Sequence, residues 1–167
     1  SGSCVSMVKV LYGELDLSPS GRKRWESLRG RIFEGTQFLY HKLEIRNLPG
    51  RYEAKIALHE SCHGKRELGV DLEPKALLAG IAGLELIIPP LSDECCGFGG
   101  TFAVKFPELS AAMGMRKLSA IQKTGVQIIT AVDDSCLMHL YGLAQRQGYN
   151  IKTMHVLRIL SKAMGLE

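Results

Sequence analysis

The sequence predicts an α/β fold, a parallel sheet of about four strands flanked by helices. Three observations lead there. Short apolar runs of strand length alternate with stretches whose apolar residues recur every three or four positions, the two periods of strand and helix. The alternation starts after Leu48-Pro49-Gly50 and runs to the end, and strand–loop–helix repetition of this kind builds a parallel sheet. Cys62, the pair Cys95-Cys96, and Cys136 each follow one of three successive strand-like runs. Such sheets form their sites in the loops at the carboxyl ends of the strands, so residues far apart in sequence are expected to converge at one edge.

Before the boundary the chain reads as helical. Val5, Val8, Tyr12 and Leu15 fall at helical spacing across 4–15, and Leu17-Ser18-Pro19-Ser20-Gly21 breaks the pattern. Trp25, Leu28, Ile32, Leu39 and Leu43 carry a second helix over 22–43, weakened by Gly30 and Gly35. Past the boundary, Ala54–Leu58 is the first strand and the polar run His59–Arg66 its loop. Pro74–Ala82 is a helix with its proline in the first turn. Leu84–Ile88 is the second strand, and a long loop with the vicinal cysteines follows. Pro107–Lys123 places Ala111, Met115, Leu118 and Ile121 on one helix side and stops at Thr124-Gly125. Val126–Val132 is the third strand. Ser135–Gln147 is a helix with Leu137, Leu140, Tyr141 and Ala144 on one face, ended by Gly148. Ile151–Met154 and Val156–Met164 add a fourth strand and a closing helix.

A length of 167 residues suits one domain with a substantial core, or one domain plus a fragment. Hydrophobic content of 46% with 23% charged residues is that of a water-soluble globular chain. No apolar run reaches the roughly 18 residues of a membrane helix, and no signal-peptide pattern is present. The opening Ser1-Gly2-Ser3-Cys4 lacks an initiator Met and reads like the middle of a motif, so a truncated chain is expected. The net charge of +4 reads as a mild excess spread along the chain, which argues only weakly for an anionic partner, since a nucleic-acid binder more often gathers its positives into a stripe; no nucleic-acid partner is expected. Five widely spaced cysteines without a secretion signal point to a reducing compartment and metal chemistry. The expected location is the cytoplasm, or the inner face of the membrane as a peripheral protein.

The cysteine spacing narrows that chemistry. Thirty-two residues separate Cys62 from Cys95, and thirty-nine separate Cys96 from Cys136. Mononuclear zinc sites favour tight Cys-x-x-Cys knuckles, and none is present. Neighbouring thiolates bind different irons of a polynuclear cluster, and four cysteines are the complement of a [4Fe–4S] centre. Gly97, Gly99 and Gly100 let the backbone turn so that both vicinal thiols reach one site, with N–H groups toward the sulfurs. Asp133-Asp134-Ser135 forms an N-cap region that puts Cys136 in the first turn of a helix, where the helix dipole favours a thiolate. His59, His63 and His139 lie close in sequence, as ligands, proton acceptors or hydrogen-bond donors around the sulfurs. Arg66 is expected to hold an anion or to pair with Glu67 or Asp71. Two decoys are set aside. His59-Glu60-Ser61-Cys62-His63 spells the zinc-protease pattern but follows a strand and meets Gly64, where that pattern needs a helix. Gly97-Phe98-Gly99 begins a dinucleotide fingerprint whose third glycine is replaced by Phe102. A structural zinc domain and a thiol redox enzyme working through a Cys95–Cys96 disulfide remain the competing readings.

Three motifs in this order, HESCHGKRELGV, CCGFGGTFAVKFPELSAAM and DDSCLMHLYG, resemble the cysteine-rich CCG domain family, in its lactate utilization protein A variety. The resemblance implies an iron–sulfur electron-transfer subunit of a bacterial complex oxidising L-lactate to pyruvate, with other subunits and with electron donor and acceptor proteins as partners. It implies a [4Fe–4S] cluster on Cys62, Cys95, Cys96 and Cys136, absent where an isolated or air-exposed piece has lost it. Related proteins include the iron–sulfur subunit of glycolate oxidase and the B subunit of heterodisulfide reductase. The family carries tandem repeats, so residues 1–50 are expected to be a helical remnant of a preceding repeat plus linker, and 51–167 the CCG domain. The heterodisulfide reductase type ends each repeat with Cys-x-x-Cys, whereas Cys136-Leu137-Met138-His139 lacks the second cysteine, which favours the simpler four-cysteine cluster.

Overall fold

The computed structural model describes residues 1–167. Its centre is a four-stranded, all-parallel sheet in the order β2-β1-β3-β4, with β1 at Arg51–Leu58, β2 at Ala82–Ile87, β3 at Ile128–Ala131 and β4 at Lys152–His155. β1 pairs β2 with Ile56 opposite Leu86, and pairs β3 with Ile56 opposite Ile128. The chain steps outward from β1 to β2, then crosses back over β1 to place β3 and β4 on its other side. The reversal lies between β1 and β3, and a crevice opens at such a point beyond the carboxyl ends of the strands.

The alternating strand residues sort into two cores. Ile56, Leu58 and Ile128 pack with α4 (Leu72–Ala79) and α8 (Val156–Ala163) through Leu77, Leu78, Ile159 and Leu160. Ala57, Ile129 and Ala131 face α6 (Pro107–Gln122) and α7 (Asp134–Arg146) through Leu118, Ile121, Leu137 and Leu140. Each aliphatic side chain so buried contributes about 1.5–3 kcal/mol. Cys96 and Cys136 belong to the second core, so one wall of the cysteine edge is set by packing.

The remaining helices are α1 (Gly2–Lys9), α2 (Pro19–Arg29), α3 (Gly35–Gln37, continued by a wide turn over Phe38–Lys42) and α5 (Thr101–Lys105). Three expectations are corrected here. The helix expected over 22–43 is broken: α2 ends with Gly30 as its C-cap, and α3 restarts behind the Glu34 carboxylate, which accepts the Thr36 and Gln37 N–H groups. The loop expected over His59–Arg66 contains a wide helical turn, His63–Glu67, and its first residues, His59, Glu60 and Ser61, are buried. The charge excess is not spread along the chain. Residues 22–31 hold five bases and one acid, hence the full +4, while the rest of the chain balances at sixteen of each. That stripe removes the argument from spread charge against a nucleic-acid partner. No helix is long and apolar enough to cross a membrane.

Candidate metal centre

Each cysteine is delivered by a different piece of local chemistry. β1 hands its ladder on past Leu58, where the His59 N–H donates to the Thr130 carbonyl at 2.8 Å and the Glu60 N–H to Ser92 at 3.0 Å. Two residues later Cys62 stands at the head of the wide turn, half-buried. Beyond β2, the Cys95-Cys96 pair is bent by Gly97 at φ +93°, followed by Gly99 and Gly100 at φ +54° and +53°. At Gly97 no other residue fits: a Cβ there would lie 2.4 Å from the Ser110 carbonyl oxygen of α6, in a backbone region that L side chains avoid. Beyond β3, Asp133 caps α7 by accepting the Ser135 N–H at 3.1 Å, which sets Cys136 in the first turn.

The four sulfurs meet. Cys62, Cys95, Cys96 and Cys136 line one cavity of about 380 Å³, together with His63, Gly99 and Gly100. Cys96 and Cys136 form its floor at 2% and 6% exposure, while Cys62 and Cys95 are half-buried. Gly97 gives the cavity a donor rather than a wall, its N–H pointing to Cys95 Sγ at 3.3 Å. The ligand-capable atoms of His59, Cys96 and Cys136 all lie within 4.8 Å of one another, a buried donor set able to hold a metal ion. His139 is placed elsewhere. It lines a neighbouring cleft with Ser110, Met138 and Arg146, and Phe98 forms the wall between that cleft and the cysteines.

His59 is 1% exposed, and its Nδ1 lies 3.0 Å from the Ser92 carbonyl. A carbonyl only accepts, so Nδ1 carries a proton, and Nε2, on the sulfur side, has no hydrogen-bond partner. Cys136, then His59 and the Phe98 backbone, draw the Cys96 thiol down to about 4 against the effect of burial. Cys96 and burial push the Cys136 thiol far up. Burial, then the charge of Cys95, raises Cys62. Four close thiols cannot all ionise without a cation among them, and a thiolate-binding metal supplies that charge while displacing the protons.

Sequence reasoning missed three participants. Lys117, 2% exposed in α6, donates to the Leu91 and Ser92 carbonyls. Its amine and His59 Nδ1 thus meet the same Ser92 carbonyl, and burial draws that amine below its ordinary range while the nearby Cys96, Glu94 and Cys136 oppose the shift. The signal was legible, because Gly114, Lys117, Leu118 and Ile121 occupy the buried stripe of one helix at i, i+3, i+4, i+7. Ser3 and Met7 of α1 also line the cysteine cavity. The Gly2 N–H reaches the Val132 carbonyl at 2.7 Å and the Ser3 N–H the Asp133 carboxylate at 2.6 Å, while Ser6 bonds Glu67. Nothing in the α1 sequence announces that docking. The protease-like pattern is not assembled. His63 pairs with Glu67 at 3.0 Å, and Glu60 is held by Lys65 and Lys75. Arg66 contacts neither Glu67 nor Asp71; it donates to the Asp93 carbonyl at 3.3 Å.

A family described as a cysteine-rich domain, CCG, matches residues 56–141, the stretch from β1 into α7. The chain belongs to the cysteine-rich CCG domain family. Within it, the CCG chain is 37% identical over 166 residues to lactate utilization protein A of Exiguobacterium sp., covering 98% of this chain and 67% of that protein. It is 37% identical over 161 residues to lactate utilization protein A of Lysinibacillus sphaericus, covering 96% and 71%. It is also 37% identical over 163 residues to lactate utilization protein A 1 of Bacillus mycoides, covering 97% and 66%. The CCG chain thus spans about two thirds of the length of these relatives.

Proposed function

We propose that this CCG domain holds a [4Fe–4S] cluster on Cys62, Cys95, Cys96 and Cys136 and passes electrons within a bacterial system that oxidises L-lactate to pyruvate. One observation carries the reading: four cysteines from three successive strand ends line a single cavity. The residues present fit the cluster. The donor set is soft thiolate, the Gly97 N–H already points at Cys95 Sγ, and the buried His59 Nε2 lacks a partner on that side. When bound, the cluster takes up and releases one electron at a time, so the two electrons leaving lactate pass singly. The chain's own groups hold the sulfurs, exclude water from the Cys96–Cys136 floor and offset added negative charge with the Lys117 ammonium. The lactate assignment rests on the similarity to the lactate utilization A proteins, and the partners are the other subunits of that system with its electron donor and acceptor. A cytoplasmic location, free or at the inner membrane face, suits this role.

A second reading is favoured by the tight His59, Cys96 and Cys136 set, which with Cys62 or Cys95 makes a four-ligand zinc site in a scaffold domain. Iron, acid-labile sulfide and zinc on anaerobically purified protein separate the two, with an electron paramagnetic resonance spectrum after reduction. The cluster predicts about four irons and four sulfides per chain and a reduced-state signal, both lowered by Cys136→Ser. Zinc alone, or no metal after iron–sulfur reconstitution, overturns it.

A further inference from the structure

The charge of this molecule is carried by one helix and the turn just past it, which the core does not use. α2 buries none of its residues, yet residues 22–31 hold the whole +4 of the chain. None of Arg22, Lys23, Arg24, Arg29 and Arg31 forms an ion pair; the paired bases of the chain are Arg51, Lys55, Lys65, Lys75, Arg116, Arg158 and Lys162. The helix is nonetheless fixed in orientation. Trp25 Nε1 donates to the Val8 carbonyl at 2.6 Å, and the Arg22 guanidinium to the Gly13 and Leu15 carbonyls. Arg22 and Arg29 stack on the Trp25 ring. With that side turned inward, the opposite face presents Lys23 and Arg24 between the hydroxyls of Ser20 and Ser27, with Arg31 exposed just beyond. Val8, the anchor of Trp25, follows Met7, which lines the cysteine cavity. The basic face is therefore mounted on the helix that walls the metal centre.

We propose that the outward face of α2 is the docking surface for an acidic protein that exchanges electrons with the cysteine site. The proposal rests on the electron-transfer reading for its purpose, though its binding surface stands without it. A fixed basic face on an otherwise neutral body steers an acidic partner to one side of the molecule. A bilayer surface is the weaker match, because a helix lying in the interface sets aromatic and aliphatic side chains beneath its bases. Here the only aromatic residue of α2 is turned onto α1. Nucleic acid is also the weaker match, since no exposed aromatic lies among these bases to stack on one.

The test measures association of the full chain with an oxidised flavodoxin, a small acidic flavoprotein, by biolayer interferometry at low and at physiological ionic strength. Lys23→Glu/Arg24→Glu/Arg31→Glu is compared with Lys105→Glu/Lys123→Glu/Lys152→Glu, which changes net charge equally but elsewhere. Parallel arms use phosphatidylglycerol vesicles and a short DNA duplex. The expected result is salt-sensitive flavodoxin binding whose association rate falls at least about tenfold in the α2 variant and stays within about twofold in the control. No flavodoxin binding, or equal loss in both variants, overturns the proposal. Vesicle or DNA binding lost with α2 while flavodoxin fails to bind overturns it in favour of those partners. No step needs electron transfer, so iron and sulfide content on the same preparations reports on the cluster reading separately.

Discussion

At the scale of single residues, the site depends on a few groups with no freedom. Gly97 combines a positive φ with contact against the α6 backbone, so Gly97→Ala is expected to lose about 1–3 kcal/mol, read from the urea midpoint, with reduced iron uptake. Lys117 ties down the carbonyl of Leu91, itself at φ +65°, as well as that of Ser92. Lys117→Met leaves both without that buried donor and is expected to lower stability by about 1–3 kcal/mol. It also removes a cation near the sulfurs, so the midpoint potential of a reconstituted cluster should fall; an unchanged potential in an EPR-monitored titration would limit Lys117 to a structural role. The four cysteines were legible because each follows a short apolar run. His59 and His139 were not separable by sequence. Both neighbour a cysteine motif, and only the third dimension puts one against the sulfurs and the other behind Phe98.

At the scale of elements, loops carry the donors and helices decide their exposure. α1 closes one side of the cavity through Met7, so Met7→Ala is expected to speed iodoacetamide alkylation of Cys62 and Cys95 in metal-free protein, measured by mass spectrometry. An unchanged rate would show that α1 does not screen the thiols. α4 adds a pH dependence. Its first-turn Glu73 is buried, which raises its carboxyl, but its own N–H, His41 at 2.7 Å and the Asp71 N–H outweigh burial and hold it below the ordinary 4.5. A depressed carboxyl stabilises the fold fully above its unfolded value and loses that contribution as pH falls through the folded one. Acid unfolding of the wild type should therefore steepen below about pH 4.5, and Glu73→Gln should flatten that limb while lowering stability at neutral pH. The sequence read α2 and α3 as one helix because apolar spacing continues across 30–34. The break is a matter of capping, as Gly30 and Glu34 end one helix and begin another.

At the scale of the whole molecule, the sheet order explains why so much was readable. β1 lies between β2 and β3, so the loops after three successive strands share one edge whatever their length. What could not be read was the long-range docking of α1, which depends on the Val132 carbonyl and the Asp133 carboxylate rather than on any pattern of its own. A metal bound across the three loops would tie the half-buried Cys62 and Cys95 to the Cys96–Cys136 floor that the core already holds. Reconstituted protein should melt at a higher temperature than the metal-free form in anaerobic calorimetry, and equal melting would mean that the loops are already fixed. The α1 contacts also have a consequence in time. Translation delivers α1 before the sheet, yet the groups it docks on, Val132 and Asp133, leave the ribosome after Cys62, Cys95 and Cys96. Until β3 emerges, the earlier thiols have neither floor nor roof, and once α1 settles the entrance narrows. A metal taken up at this site would therefore load between the making of Cys136 and the closing of α1, or would require α1 to lift again afterwards.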